Sequence, residues 1–192
     1  MIDFNFENNN QLKPGSILIS EPFLNDNLFS RSVIYLCNHD KEGSFGFILN
    51  KYVENDLSEI IDDFPFTETR ISVGGPVDTS NLFYIHSFGD EISGSVPTEG
   101  GLHIGGDFNE VKELLHASPE NQKRIRFFVG YSGWSKDQLA SELNEKSWIV
   151  LNSVSSDHIL DTSNENIWKD TLKKLGGKFK IMSQFPKNPS DN

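Results

Sequence analysis

The sequence predicts an α+β fold: a largely antiparallel sheet, curled on itself and flanked by three to four helices. Three observations predict it. β-branched and aromatic runs follow one another in clusters, with no regular strand–helix alternation. Connectors between runs are short, as hairpins require. Glycines fall inside strands, which points to bulges that bend a sheet towards a barrel-like form. A length of 192 residues suits one domain with a sizeable core.

Residues 1–14 are polar and Asn-rich and read as a flexible segment, closed by the turn signal Pro14-Gly15. Ser16–Ser20 is a short apolar strand, and Pro22–Phe29 a loop with turn-forming Asn25 and Asp26. Ser32–Asn38 is β-branched and apolar, hence a central strand. A turn at Lys41-Glu42-Gly43 leads into Ser44–Asn50, so the two strands form an antiparallel hairpin, with Gly46 marking a bulge or a close backbone approach. Asp56 is placed to cap a helix over Leu57–Phe64 that Pro65 ends. Arg70–Val73 is a strand running into Gly74-Gly75-Pro76, and Leu82–His86 is another. Gly89–Gly101 is a Gly- and Ser-rich loop before a brief extended Leu102–Ile104. Phe108, Val111, Leu114 and Leu115 recur at helical spacing, giving a helix over Asp107–Ala117. Arg124–Gly130 is a strand, and the Gly133-Trp134 pair marks a corner before a capping box, Ser135-x-x-Gln138, that opens a helix. Ser147–Leu151 is a strand. A second box, Thr162-x-x-Glu165, precedes the stripe Trp168, Leu172, Leu175 and an αL cap at Gly176-Gly177. Residues 15–182 form one domain, and the polar, proline-bearing 183–192 read as a tail.

Composition limits the function classes. A net charge of −11 argues against direct nucleic-acid binding, which needs a basic footprint. One segment inverts that sign: between Trp168 and Lys187 six lysines stand against Asp170 alone, the pattern of a solvated helix face with lysines near a helix C-terminus. A lone Cys37 excludes an internal disulfide and suits a reducing compartment. The N-terminus lacks a secretory pattern, and no apolar run approaches the roughly 20 residues of a membrane span. A cytoplasmic protein is expected.

Each candidate constellation has a plainer reading. Gly74-Gly75-Pro76 lacks the phosphate-loop patterns and reads as a tight turn. Cys37 and His39 share a strand face at i, i+2, the spacing of an activated thiol, but the thiol sits in an apolar strand and reads as a small hydrophobe. The five histidines show no metal spacing, and His39 and His86, ending strands, each read as tying a loop. Ser32, His39 and Asp26 offer triad residue types without a nucleophile elbow; Asp26 capping a turn and Arg31 pairing with a carboxylate is the better reading. Trp134, Trp148 and Trp168 read as core anchors. No cofactor motif is present.

The ordered segments PFLNDNLFSRSVIYLCNHDKEGSFGFILNK, GGPV, LFYIHS and GYSGWSKDQLASELNEKSWIV resemble the YqgE/AlgH family of bacterial proteins, over roughly residues 15–177. The resemblance implies a compact fold with its sheet curled into a pseudo-barrel. It brings no catalytic residues, because the family is described as of unknown function or as transcriptional regulators. The expected function is a non-enzymatic regulatory or interaction role, through a protein partner or a small ligand. The candidate surface gathers Asp26, His39, Asn50, Gly74, Gly75, Pro76, His86 and Trp134. The alternative is an enzyme using His39 or His86 as general base in a cleft beside the Gly-Gly-Pro turn.

Overall fold

The computed structural model describes residues 5–61, 63–65, 69–152 and 154–186. Among these residues nine strands form one sheet: β1 (Ile17–Ser20), β2 (Val33–Asp40), β3 (Gly43–Ile48), β4 (Ser72–Val73), β5 (Val77–His86), β6 (Val96–Pro97), β7 (His103–Ile104), β8 (Ile125–Ser135) and β9 (Trp148–Leu151). The spatial order is β6-β7-β5-β8-β3-β2-β1-β9, with every neighbouring pair antiparallel, and β4 adds to β8 in parallel. The helices are α1 (Leu57–Ile60), α2 (Phe108–Ala117), α3 (Gln138–Asn144), α4 (Ser156–Leu160), α5 (Ile167–Leu175) and α6 (Gly177–Met182). The expected α+β class, with an antiparallel sheet curled into a half-barrel, is what the chain forms.

The curl has a specific origin in β8. Its first part, through Tyr131, pairs with β4 and β5, and its second part, Ser132–Ser135, pairs with β3. The change of partner falls between Tyr131 and Ser132, just after Gly130, which takes φ 66°. The Gly-Trp corner anticipated from sequence is therefore strand: β8 runs on to Ser135, and the bend sits at Gly130. The turn after β4 crosses this bend at backbone contact. A Cβ on Gly130 would lie 2.6 Å from the Gly75 carbonyl oxygen and 2.8 Å from that of Val77. A Cβ on Gly75 would collide with the Tyr131 backbone.

Side chains of β1–β3 alternate between two covered faces. Ile17, Ile19, Val33, Tyr35 and Phe47 pack with Trp168 and Leu172 of α5. Leu18, Ile34, Leu36 and Ile48 pack with Trp134, Trp148 and Leu139 of α3. Cover on both sides explains why VIYLC reads as an unbroken apolar run. A third cluster sets Tyr84, Ile125 and Phe127 against Val111 and Leu115 of α2. Asp107 caps α2 by accepting from Asn109 N at 2.8 Å and Glu110 N at 3.2 Å, a bond set that contributes about 1 kcal/mol.

Several local expectations are replaced. α1 spans four residues rather than Leu57–Phe64, and Asp56 makes no side-chain cap. Ser135 and Gln138 do bond each other, but α3 begins only at Gln138, after Asp137 in the left-handed region. Thr162 and Glu165 face Arg70 instead of capping α5. α4 is a helix without an apolar stripe long enough to read, capped by Ser155. Gly176 does cap α5 at its C-terminus, but with φ 68° and ψ −167° it lies outside the αL region, and α6 follows at once. The N-terminal segment lies along β9: Asn8 accepts from Val150 N at 2.8 Å and donates to Trp148 O, and Asn10 donates to Val150 O. Asparagine amides thus satisfy the free edge of the sheet, which an unpaired strand must otherwise protect. At the other end Phe185 stacks on Phe23, and residues 187–192 lie outside the described part.

Candidate functional site

The residues singled out in the sequence divide into three places. Asn50 and Asp26 work at the start of β2. The Asn50 amide accepts from Val33 N at 2.9 Å and donates to Arg31 O at 2.7 Å. Asp26 Oδ1 accepts from Leu28 N and Phe29 N, closing its loop. His39 sits six residues beyond Val33, about 20 Å along an extended chain. Its Nδ1 bonds the Ser44 hydroxyl at 2.8 Å across the hairpin. A bulge between Leu36 and Asn38 breaks the alternation that would have placed Cys37 beside His39. Cys37 joins the apolar core, where burial pushes its thiol pKa well up. Among the described residues Arg31 finds no carboxylate; it donates to Phe185 O at 2.7 Å and lies over the Trp168 ring.

His86 ends β5 and is wholly buried. Its Nε2 donates to Gly105 O at 3.0 Å while Nδ1 accepts from Phe88 N at 3.2 Å, and its ring stacks on His103. Both nitrogens are committed and the neutral tautomer is specified. Burial holds its pKa below the ordinary histidine value. The unfolded chain therefore binds more protons than the native one as pH falls below about 6.5, so His86 stability is full above that value and drains away below it. We expect the His86 ring resonances to titrate with a midpoint under about 6.5 and unfolding free energy to fall from pH 7.5 to 5.5. A midpoint at or above that value would contradict this.

Trp134 closes a network that spacing alone did not disclose. Glu142 Oε2 accepts the indole N–H of Trp134 at 2.9 Å and that of Trp148 at 2.7 Å. Its other oxygen takes Gln138 Nε2 at 3.0 Å. Phe29 packs on both indoles. Helix α3 is therefore docked by one carboxylate between two strands, which explains the spacing of Trp134, Glu142 and Trp148.

Another residue overlooked in the sequence is Arg126, fully buried in β8. Its Nε and Nη2 donate to Ser72 Oγ at 3.1 and 2.9 Å, and Nη1 to Ile159 O at 2.7 Å and Asp161 O at 2.9 Å. Nη2 also reaches Leu49 O. All five guanidinium N–H bonds are used. Burial pulls the guanidinium down to about 10, so it remains charged at neutral pH, held by carbonyl dipoles. It pairs with no carboxylate among the described residues.

Beside the bend in β8 the sheet leaves a cavity of about 640 Å3. Phe45, Phe47, Phe83 and Tyr131, from three strands, form its floor in a ring of edge-on and tilted contacts with centroids 5.6–6.3 Å apart. Phe45, Phe83 and Tyr131 are only half buried. The Tyr131 hydroxyl bonds nothing among the described residues. The rim is acidic: Asn38 Nδ2 and Glu42 N both donate to Asp40, at 2.9 and 2.8 Å, holding its carboxyl below its ordinary pKa, and Glu42 stands beside it. Of the expected surface, Trp134 lines this cavity. The Gly-Gly-Pro turn abuts it through Val77, and the His39 hairpin does so through Asn38 and Asp40. Asp26, Asn50 and His86 do not line it. The floor was not legible because its rings lie up to 86 residues apart in the chain and meet only once β8 bends.

Comparison with known proteins places this architecture. A family model described as AlgH-like matches residues 17–180. A UPF0301 protein from Bacteroides thetaiotaomicron is 41% identical over 191 residues, spanning 98% of this chain and 96% of its own length. One from Cytophaga hutchinsonii is 37% identical over 182 residues, spanning 94% and 100%. The X-ray structure of a protein from Corynebacterium diphtheriae superposes with a TM-score of 0.72 at 23% identity, covering 94% of this chain and 95% of that one. The solution structure of AlgH from Pseudomonas aeruginosa gives 0.70 at 23%, covering 92% and 98%. These two likenesses show the fold. Among the described residues no helix is long and apolar enough to cross a membrane. The family match over 17–180 and the near-full-length relatives establish that the chain belongs to the YqgE/AlgH family, a family of unknown function.

Proposed function

We propose that this protein is a cytoplasmic recognition module, regulatory in role, that binds an aromatic amine or a partner side chain of that chemistry in the cavity beside the β8 bend. The observation that carries this is the exposed aromatic floor under an acidic rim. Half-buried rings in a concave site offer flat contact area to another ring, and such pairs add about 0.5–1.5 kcal/mol beyond area burial. Ionised Asp40 and Glu42 then select for a cation and repel an anion. The same carboxylates, with the overall charge, oppose a nucleic-acid backbone, so regulation would run through a ligand or protein. His86, with both ring nitrogens engaged, supports recognition over general-base chemistry.

Calorimetric titration with phenethylamine and phenylacetate tests this. The amine should bind and the acid should bind at least about tenfold more weakly. Glu42→Lys, at an exposed position, should weaken the amine about tenfold, and Phe83→Ala should do at least as much. Equal binding of acid and amine, or an unaffected Glu42→Lys variant, would refute the reading.

A further inference from the structure

A second cavity, of about 370 Å3, opens between the sheet and helices α4 and α5. It shares no lining residue with the aromatic cavity. Its depth is apolar: Ile17, Val33, Leu49 and Ile167 line it and are core residues. An apolar space of this kind holds water poorly, and its wall lacks contacts that a hydrocarbon would supply. The volume lies within the roughly 300–1,000 Å3 typical of small-molecule sites.

The mouth carries two bases, His158 of α4 and Lys174 in the last turn of α5. Burial, and after it the Lys174 charge, hold the His158 pKa below its ordinary value, so the two groups sense each other across one opening. Neither makes an ion pair among the described residues. The acid that His158 senses, Asp161, already accepts from Ser163 N at 2.8 Å and Ser163 Oγ at 2.6 Å. Two other lysines of the basic segment are occupied: Lys173 pairs with Asp170 at 3.3 Å and Lys178 donates to Asn5 O. In a chain of net charge −11, Lys174 sets a cation above an apolar crevice, with the His158 imidazole beside it as a hydrogen-bonding group. Apolar depth with basic groups at the entrance matches an amphiphile with an anionic head.

We propose that this cavity binds an aliphatic carboxylate, its chain among Ile17, Val33, Leu49 and Ile167 and its head between Lys174 and His158. The site stands independently of the aromatic cavity. It also gives Lys174 a role beyond a solvated helix face.

Isothermal titration of the full chain with hexanoate, octanoate and decanoate tests it, with octylammonium and 1-octanol as head-group controls. Affinity should rise by up to about fourfold per added methylene, the equivalent of about 0.8 kcal/mol, until the crevice is full. Octylammonium should bind at least about tenfold more weakly than octanoate. Lys174→Gln should weaken octanoate several-fold and Lys174→Glu about tenfold or more, with melting temperature nearly unchanged because Lys174 is exposed. Leu175→Trp, which fills the mouth, should abolish the chain-length dependence. Octylammonium or 1-octanol binding as tightly as octanoate, unchanged octanoate affinity in Lys174→Glu, or no binding at millimolar octanoate would each overturn the proposal.

Discussion

Replacing Arg126 with Ala is expected to cost about 4 kcal/mol or more of folding stability, a large part of the about 5–15 kcal/mol that holds a typical domain folded. The guanidinium serves Ser72 Oγ and the carbonyls of Leu49, Ile159 and Asp161. Truncation strands these acceptors in the core, at about 1–3 kcal/mol for each buried group left unsatisfied, and adds a cavity. Arg126→Lys keeps a charge but has three donors where five are used, so about half the loss is expected. Urea unfolding followed by tryptophan fluorescence measures both. An Arg126→Ala variant within about 1 kcal/mol of the parent would show that these bonds contribute little.

The second large effect is expected at the chain crossing that curls the sheet. Gly130 has φ 66° and Gly75 φ 157°, and in each a Cβ would meet backbone atoms that cannot rotate aside. Strain of about 1–3 kcal/mol and overpacking of about the same size then add, so Gly75→Ala and Gly130→Ala should each lose about 3 kcal/mol or more. Gly100 separates the two causes. It has φ 78°, and a Cβ there would stand in open space with nothing within 4 Å, so Gly100→Ala should lose only about 1 kcal/mol. Thermal melts of the three variants make the comparison. Equal losses at Gly100 and Gly130 would mean that conformation, not crossing, sets the requirement for glycine.

These two sites show where sequence reading works and where it stops. The run SVIYLCN announced a central strand because both its faces are covered, and FxxVxxLL announced α2 because one face is. Gly74-Gly75-Pro76 was legible as a turn, but its reason is the Tyr131 backbone passing beneath it, which only the pairing of β4 with β8 brings there. In RIRFFVG, alternation sets Arg126 between Ile125 and Phe127, as a solvent-facing residue would be; α4, itself too short to read, covers that side. Glu142 likewise reads as an ordinary charge on an amphipathic helix until two distant indoles converge on it. The candidate surface fared similarly. Trp134 and the turn before Val77 reach the aromatic cavity, whereas Asn50, Asp26 and His86 spend their polar atoms on backbone groups elsewhere. Short-range punctuation is visible in a sequence because each residue carries its own conformational preference. A cavity is not, because its walls come from strands that meet only after the sheet has bent.

Recognition at the bend in β8 is tested most directly by a crystal structure of the full chain grown with saturating phenethylamine. The expected result is the ligand ring against Phe83 and Tyr131, with its ammonium within hydrogen-bond reach of Asp40 or Glu42. An aromatic cavity filled only by ordered water, with the amine bound elsewhere or absent, would contradict it.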